Sequence, residues 1–263
     1  MMDMTFISGG VTILGCAVFT VLIVFCVRSL SFRRSMAPVY FTFSLVSSLM
    51  SALYWVAYDL LRPDTRMPFA ANEFGEIGLL LLLASALNAV FRGRFAAARR
   101  EIVCAAAFAA ACTALWIGWS GEWIEDLLSG LSFGYLLCCC VRSLKQSDAL
   151  SRLEWGLLGA AAALLLLLQG LTFLLPEPWR SVADYGAYAV MFALLAWWGV
   201  KLILALRRDQ NRPAAFACSV SCFAWSISCM FMSTGIFYLA GQLSQIVTAP
   251  LMFLALRREE AAA

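Results

Sequence analysis

Runs of about twenty apolar residues alternate along this chain with short clusters of arginine, lysine, aspartate and glutamate. A helix rises 1.5 Å per residue, so each run has the length needed to cross about 30 Å of hydrocarbon. The first covers residues 6–27 and ends before Arg28, Arg33 and Arg34. The second covers 39–61 and stops at Arg62-Pro63-Asp64, and the third covers 74–91 and stops at Arg92 and Arg94. Runs four to seven follow over 102–120, 123–141, 155–175 and 182–206. Arg142 and Lys145 close the fifth, Pro176-Glu177-Pro178 the sixth, and Arg207-Arg208-Asp209 the seventh.

Residues 214–256 then form a stretch of 43 without one Asp, Glu, Lys or Arg. As one helix it would be about 65 Å long, twice the hydrocarbon thickness. It is therefore expected to fold back, with the turn at Ser233-Thr234-Gly235, because glycine tolerates the positive φ of tight turns. The alternative is an eighth helix followed by a re-entrant or tilted segment. Only Pro250 of the seven prolines falls inside a run, where a kink is expected. The pattern predicts an all-α, polytopic transmembrane helix bundle of about nine crossings whose last two form a tight hairpin. With short loops and no linker, residues 1–263 read as a single integral membrane domain.

Charge gives the bundle a direction. With the N-terminus outside and loops alternating, the outer side holds ten acids against three arginines, a net −7. The remaining sixteen basic residues and six acids fall inside, a net +10. Cytoplasmic loops carry the excess of Lys and Arg, so an N-out, C-in chain in the cell inner (plasma) membrane is expected. Met1 to Gly10 contains no Lys or Arg, so the basic region of a cleaved signal is missing and the first run is expected to remain a transmembrane segment.

Composition narrows the chemistry. Charged residues make up 13% of the chain, against about 25% in an ordinary soluble domain, which excludes the soluble classes. There is no histidine, so the commonest general base and metal ligand are missing. The ten cysteines include no CxxC pair, and they read as small packing residues rather than metal ligands. The sequence also lacks a Gly-x-Ser-x-Gly elbow, a P-loop and an Asp-rich diphosphate motif. A non-enzymatic protein without metal or cofactor is expected, and the opposed charged surfaces point to no nucleic-acid partner. Its surroundings are the lipid bilayer.

Two groups of residues are candidates for function. Ser44, Ser48, Ser51, Trp55 and Tyr58 step by 4, 3, 4 and 3 and so share one helical face, which ends beside Asp59. Across a short loop Glu73 and Glu76 point the same way, one turn apart, with Ser85 and Asn88 deeper on the same helix. Aromatic rings above carboxylates suit a small cationic ligand. The competing reading is an interfacial aromatic belt over solvated acids, with serines that let helices approach. Gln169 is a strongly polar side chain well inside the sixth run, where an amide must find a partner or mark a cavity. Trp55, Tyr58, Asp59, Glu73, Glu76 and Gln169 are the candidate ligand-binding set.

The second group is a seam on the eighth helix. Ala215, Ser219, Cys222, Ser226, Cys229 and Ser233 step by 4, 3, 4, 3 and 4. Small residues in such a row permit close helix approach, so a helix of this chain, of a second copy or of a membrane partner is expected there. A weakly polar pathway lining is the alternative. Gln242 and Gln245 on the last helix are expected to hydrogen-bond within the bundle, and Lys201, six residues before Arg207, to snorkel to the interface. The Trp55-to-Leu61 segment, followed by the acid-bearing start of the third helix, resembles the multi-helix membrane input modules that precede bacterial histidine kinases and diguanylate cyclases. That resemblance implies a sensing or scaffold module that signals through another protein. The residues themselves favour a small-molecule permease with an outward-facing acidic and aromatic cavity.

Overall fold

A computed structural model describes residues 4–30, 35–61, 71–91, 98–148, 150–207, 213–228, 230 and 236–262. Among them are nine helices: α1 (Met4–Ser29), α2 (Ala37–Leu61), α3 (Ala71–Val90), α4 (Arg99–Ser120), α5 (Trp123–Gln146), α6 (Arg152–Leu174), α7 (Trp179–Arg207), α8 (Pro213–Ser228) and α9 (Ile236–Ala262). Each apolar run of the sequence has become a helix. The helices extend beyond the runs because charge ends a run, whereas caps, prolines and glycines end a helix. Thus α5 continues past Val141 for more than a turn, carrying Arg142 and Lys145 at its end.

Two termini show how local sequence sets the boundaries. At the start of α6, the Ser151 hydroxyl accepts the Glu154 N–H at 3.3 Å, and the Glu154 carboxylate accepts the Ser151 N–H at 2.8 Å. This capping box satisfies two amides that a helix start otherwise leaves orphaned. Ser151→Ala is expected to cost about 1 kcal/mol, read as a lower melting temperature of the reconstituted protein; an unchanged melt would refute a role for the cap. At the end of α4, Gly121 takes φ 76°, a left-handed conformation, and donates its N–H to the Ile117 carbonyl at 3.0 Å. The chain then turns directly into α5. The buried Asp126 carboxylate accepts a hydrogen bond from Ser120, whose own oxygen accepts the Glu122 N–H at 2.9 Å.

Among the described residues, seven helices are long and apolar enough to cross a membrane: α1, α2, α4, α5, α6, α7 and α9. Their outward faces carry large apolar side chains such as Ile13, Phe25, Leu131, Leu157 and Leu167, each more than two-fifths exposed. A soluble protein does not leave such a surface to water, and lipid is its solvent. The two shorter apolar stretches are Phe74–Val90 of α3 and Ala217–Ser228 of α8. Sixteen residues give α8 a length of about 24 Å, below the about 30 Å of a full crossing. α8 packs along α9, as a fold-back requires, while the expected turn at Ser233–Gly235 lies outside the described residues. Pro250 lies inside α9.

The centre of the bundle is α5 with α8. α5 touches α3, α4 and α8, and α8 touches α3, α5, α7 and α9. Every residue from Ala217 to Ser228 is buried, with Trp225 fully enclosed. α6 is the opposite case: of its 23 residues only Leu165 is buried, and it packs mainly on α7.

Between apolar helices in lipid there is little hydrophobic gain from association, so close packing and hydrogen bonds hold the bundle. The tightest contacts involve glycines facing small side chains. A methyl group on Gly130 of α5 would stand 2.0 Å from the Thr113 hydroxyl of α4, and one on Gly134 would stand 3.1 Å from Ala109 Cβ. On the other side, a methyl on Gly75 of α3 would lie 2.8 Å from Ser51 Cβ of α2. The Ser47 hydroxyl donates to the Gly75 carbonyl at 2.8 Å. Ion pairs tie neighbouring helices near their ends: Lys145 of α5 to Glu101 of α4 at 2.8 Å, and Lys201 of α7 to Glu154 of α6. Lys201 therefore reaches a carboxylate in the first turn of α6.

Candidate functional site

The packed seams leave a cavity of about 260 Å³ between α1, α2, α3, α4, α5, α8 and α9, its largely apolar wall interrupted by polar side chains. Trp55 of α2, 40% exposed, and Glu76 of α3, also exposed, both line it. Ser48 and Ser51 of α2 form part of the wall, together with Thr12, Ser129, Ser228, Gln242 and Gln245. Glu76 is the one charged residue among the described residues lining it. The Thr12 hydroxyl donates to Gln242 Oε1 at 3.4 Å, which joins α1 to α9 across the cavity. Behind this wall the Ser228 and Ser244 hydroxyls share a hydrogen bond of 2.6 Å. Phe19, Leu79, Leu80, Trp116 and Phe133 supply the apolar walls.

These residues converge for a simple reason. The α2 serines fall on one face by helical spacing, and that face must meet α3 closely because Gly75 and Gly78 leave it room. A Cβ on Gly78 would approach the Ser47 hydroxyl to 2.7 Å. The larger Trp55, one turn beyond Ser51, does not fit such a contact and opens the cavity instead. One negative charge, an indole and two amides around so small a volume can bind a small cation and orient its donors. The volume lies below the about 300–1,000 Å³ of drug-sized sites, so the ligand it fits is small.

Of the predicted set, Trp55 and Glu76 are brought to one cavity. The side chains of Tyr58, Asp59 and Glu73 lie outside the described residues. Gln169 does not join them. It sits on α6, a helix that contributes nothing to this cavity, so the expectation that it would orient a ligand there is not met. Its Oε1 is buried without a hydrogen-bond partner among the described residues. Depth alone made Gln169 a candidate; its position on the outermost helix separates it from the site. Asn88, also noted from sequence, is absorbed in packing, donating to the Tyr135 hydroxyl at 2.9 Å.

Gln242 and Gln245 are the site residues that sequence reasoning placed in the bundle without connecting them to Glu76. Their spacing of three gave the common face, but the contact between α9 and α1, across the whole length of the chain, was not readable. In the α8 seam Ser219, Cys222 and Ser226 are buried inside the chain, with Cys222 Sγ 3.7 Å from Met252 Sδ of α9. Ala215, Cys229 and Ser233 lie outside the residues whose side chains are described. The other faces of α8 are equally buried, so the seam is one side of a helix surrounded by this chain. The nine described cysteines are free thiols.

Compared with known protein families, with curated proteins and with solved structures, the chain matches none.

Proposed function

We propose that this chain is a small-molecule permease of the inner membrane, oriented N-out and C-in, that takes a small cationic or proton-coupled substrate from the outer face. The observation that carries the reading is Glu76, the one charged residue among the described residues lining a cavity that also holds Trp55, Gln242 and Gln245. Glu76 stands exposed on this cavity near the start of α3, where an acidic side chain can meet a cation entering between the helices. The charge asymmetry of the loops supports the orientation, since it places the Glu76 end outside and the Arg100, Lys145 and Arg152 end inside.

The test is flux. Purified protein in proteoliposomes is expected to accumulate one or more of a panel of labelled small organic cations. Glu76→Gln, nearly isosteric but neutral, is expected to lower that flux at least about tenfold, the equivalent of about 1.4 kcal/mol of lost charge interaction. Trp55→Leu should raise the half-saturating concentration through loss of cation–π attraction. Undiminished flux in Glu76→Gln would reject the role of the carboxylate. A protein that moves no cation but co-purifies with a soluble effector bound to its basic loops would be a sensor or scaffold subunit instead.

A further inference from the structure

A second cavity, about 530 Å³, lies between α4, α5, α6, α7 and α8, and it differs in character from the first. Its walls are apolar, including Phe108, Leu137, Leu165 and Leu194. Its mouth is basic: Arg100 lies in the first turn of α4, Lys145 in the last turn of α5, and Arg152 begins α6, so all three gather at one end of the bundle. Lys145 is paired with Glu101 and lies 5.8 Å from the ring centre of Trp155. Arg100 and Arg152 are exposed and make no ion pair among the described residues. The mouth therefore sets Arg100, Lys145 and Arg152 against the carboxylate of Glu101, a net positive edge beside an indole of the kind that marks the membrane interface.

From this juxtaposition we infer that the crevice is a binding site for one anionic phospholipid, its phosphate held by Arg100 and Arg152 and an acyl chain lying along α6. Three features fit that occupant. From Arg152 to Leu165 the crevice follows α6 for about 20 Å, comparable with the about 15 Å of one leaflet's hydrocarbon. The wall on the α6 side is low, because Gly156, Gly159 and Ala162 leave the space that bulkier residues would fill, and no heavy atom lies within 4 Å of a Cβ placed on either glycine. Guanidinium groups bind phosphate with paired, charge-assisted hydrogen bonds, whereas a zwitterionic headgroup brings its own cation to the same mouth. Under the proposed orientation the site takes its lipid from the inner leaflet, whose anionic lipids such basic segments attract. The assignment does not depend on the permease reading.

The experiment uses the full chain reconstituted in phosphatidylcholine vesicles doped with phosphatidylglycerol, extracted in mild detergent and analysed by native mass spectrometry. One phosphatidylglycerol is expected to remain per protein against excess phosphatidylcholine. Arg100→Gln and Arg152→Gln are each expected to reduce retention about fivefold. Gly159→Phe fills the crevice without meeting another atom at its Cβ, so the protein should melt as before while retention is lost. Equal retention of the two lipids would overturn the proposal. So would normal retention in Gly159→Phe, since the arginines would then form only a surface patch.

Discussion

Gly130→Ala is expected to destabilise the bundle by about 1–3 kcal/mol, although alanine is the better helix former by about 1 kcal/mol. The clash decides the sign. The new methyl would stand 2.0 Å from Thr113 Oγ1, 2.5 Å from its Cγ2 and 2.8 Å from its Cβ, so no rotation of the threonine clears the space. Thr113 is itself buried, and its hydroxyl donates to the Ala109 carbonyl one turn earlier at 2.8 Å. The only relief is separation of α4 from α5, and that strains the turn at Gly121 and the Ser120–Asp126 hydrogen bond. The measurement is the melting temperature in detergent or nanodiscs. Thr113→Gly is expected to restore most of the loss in the double variant, a coupling that distant residues would not show. A higher melting temperature for Gly130→Ala alone would mean that the two helices do not approach here.

Phe133→Ala is expected to cost about 3–5 kcal/mol, because a large buried ring leaves a void that its neighbours only partly fill. Phe133 is 2% exposed and meets Trp116 edge-on, with ring centroids 5.5 Å apart. Its position gives the substitution a second consequence. The phenyl ring lines both the Glu76 cavity and the apolar crevice, which open toward opposite ends of the bundle. Removing it joins the two, so reconstituted Phe133→Ala should leak small ions that wild-type protein retains. Phe133→Leu keeps most of the partition and should melt closer to wild type without the leak. Sealed vesicles containing folded Phe133→Ala protein would show that something other than this ring divides the cavities.

Much of the architecture was legible from the chain because lipid imposes a strong rule: every backbone polar group must be satisfied within its own segment, so each long apolar run must be helical. That each long apolar run forms a helix follows from that rule, while the helix ends are set by local features such as Ser151 and Gly121. The α2 serine face and the pairing of Trp55 with Glu76 were also readable, since helical spacing and a short loop are local properties. The Ser151–Glu154 cap and the close approach at Gly130 and Gly134 emerge only in the structure, beside their partners.

Which helices adjoin was a different question. Nearly every face is apolar, so hydrophobic pattern does not distinguish lipid from a neighbouring helix, and the hydrophobic effect does not sort them. The small-residue seam marked one face of α8 for packing, but not that all its faces from Ala217 to Ser228 are enclosed while α6 lies at the edge. Contacts between helices made that choice: α8 is held by α3, α5, α7 and α9, whereas α6 packs mainly on α7. They left Gln169 outside the Glu76 cavity, brought Gln242 and Gln245 to it from the far end of the chain, and placed three separate basic residues at one mouth. The sequence by itself determined a helical protein for the membrane and the length of its segments, because those depend on each segment and its solvent. The tertiary structure alone decided which polar groups meet, because that depends on contacts between helices whose apolar surfaces are chemically almost the same.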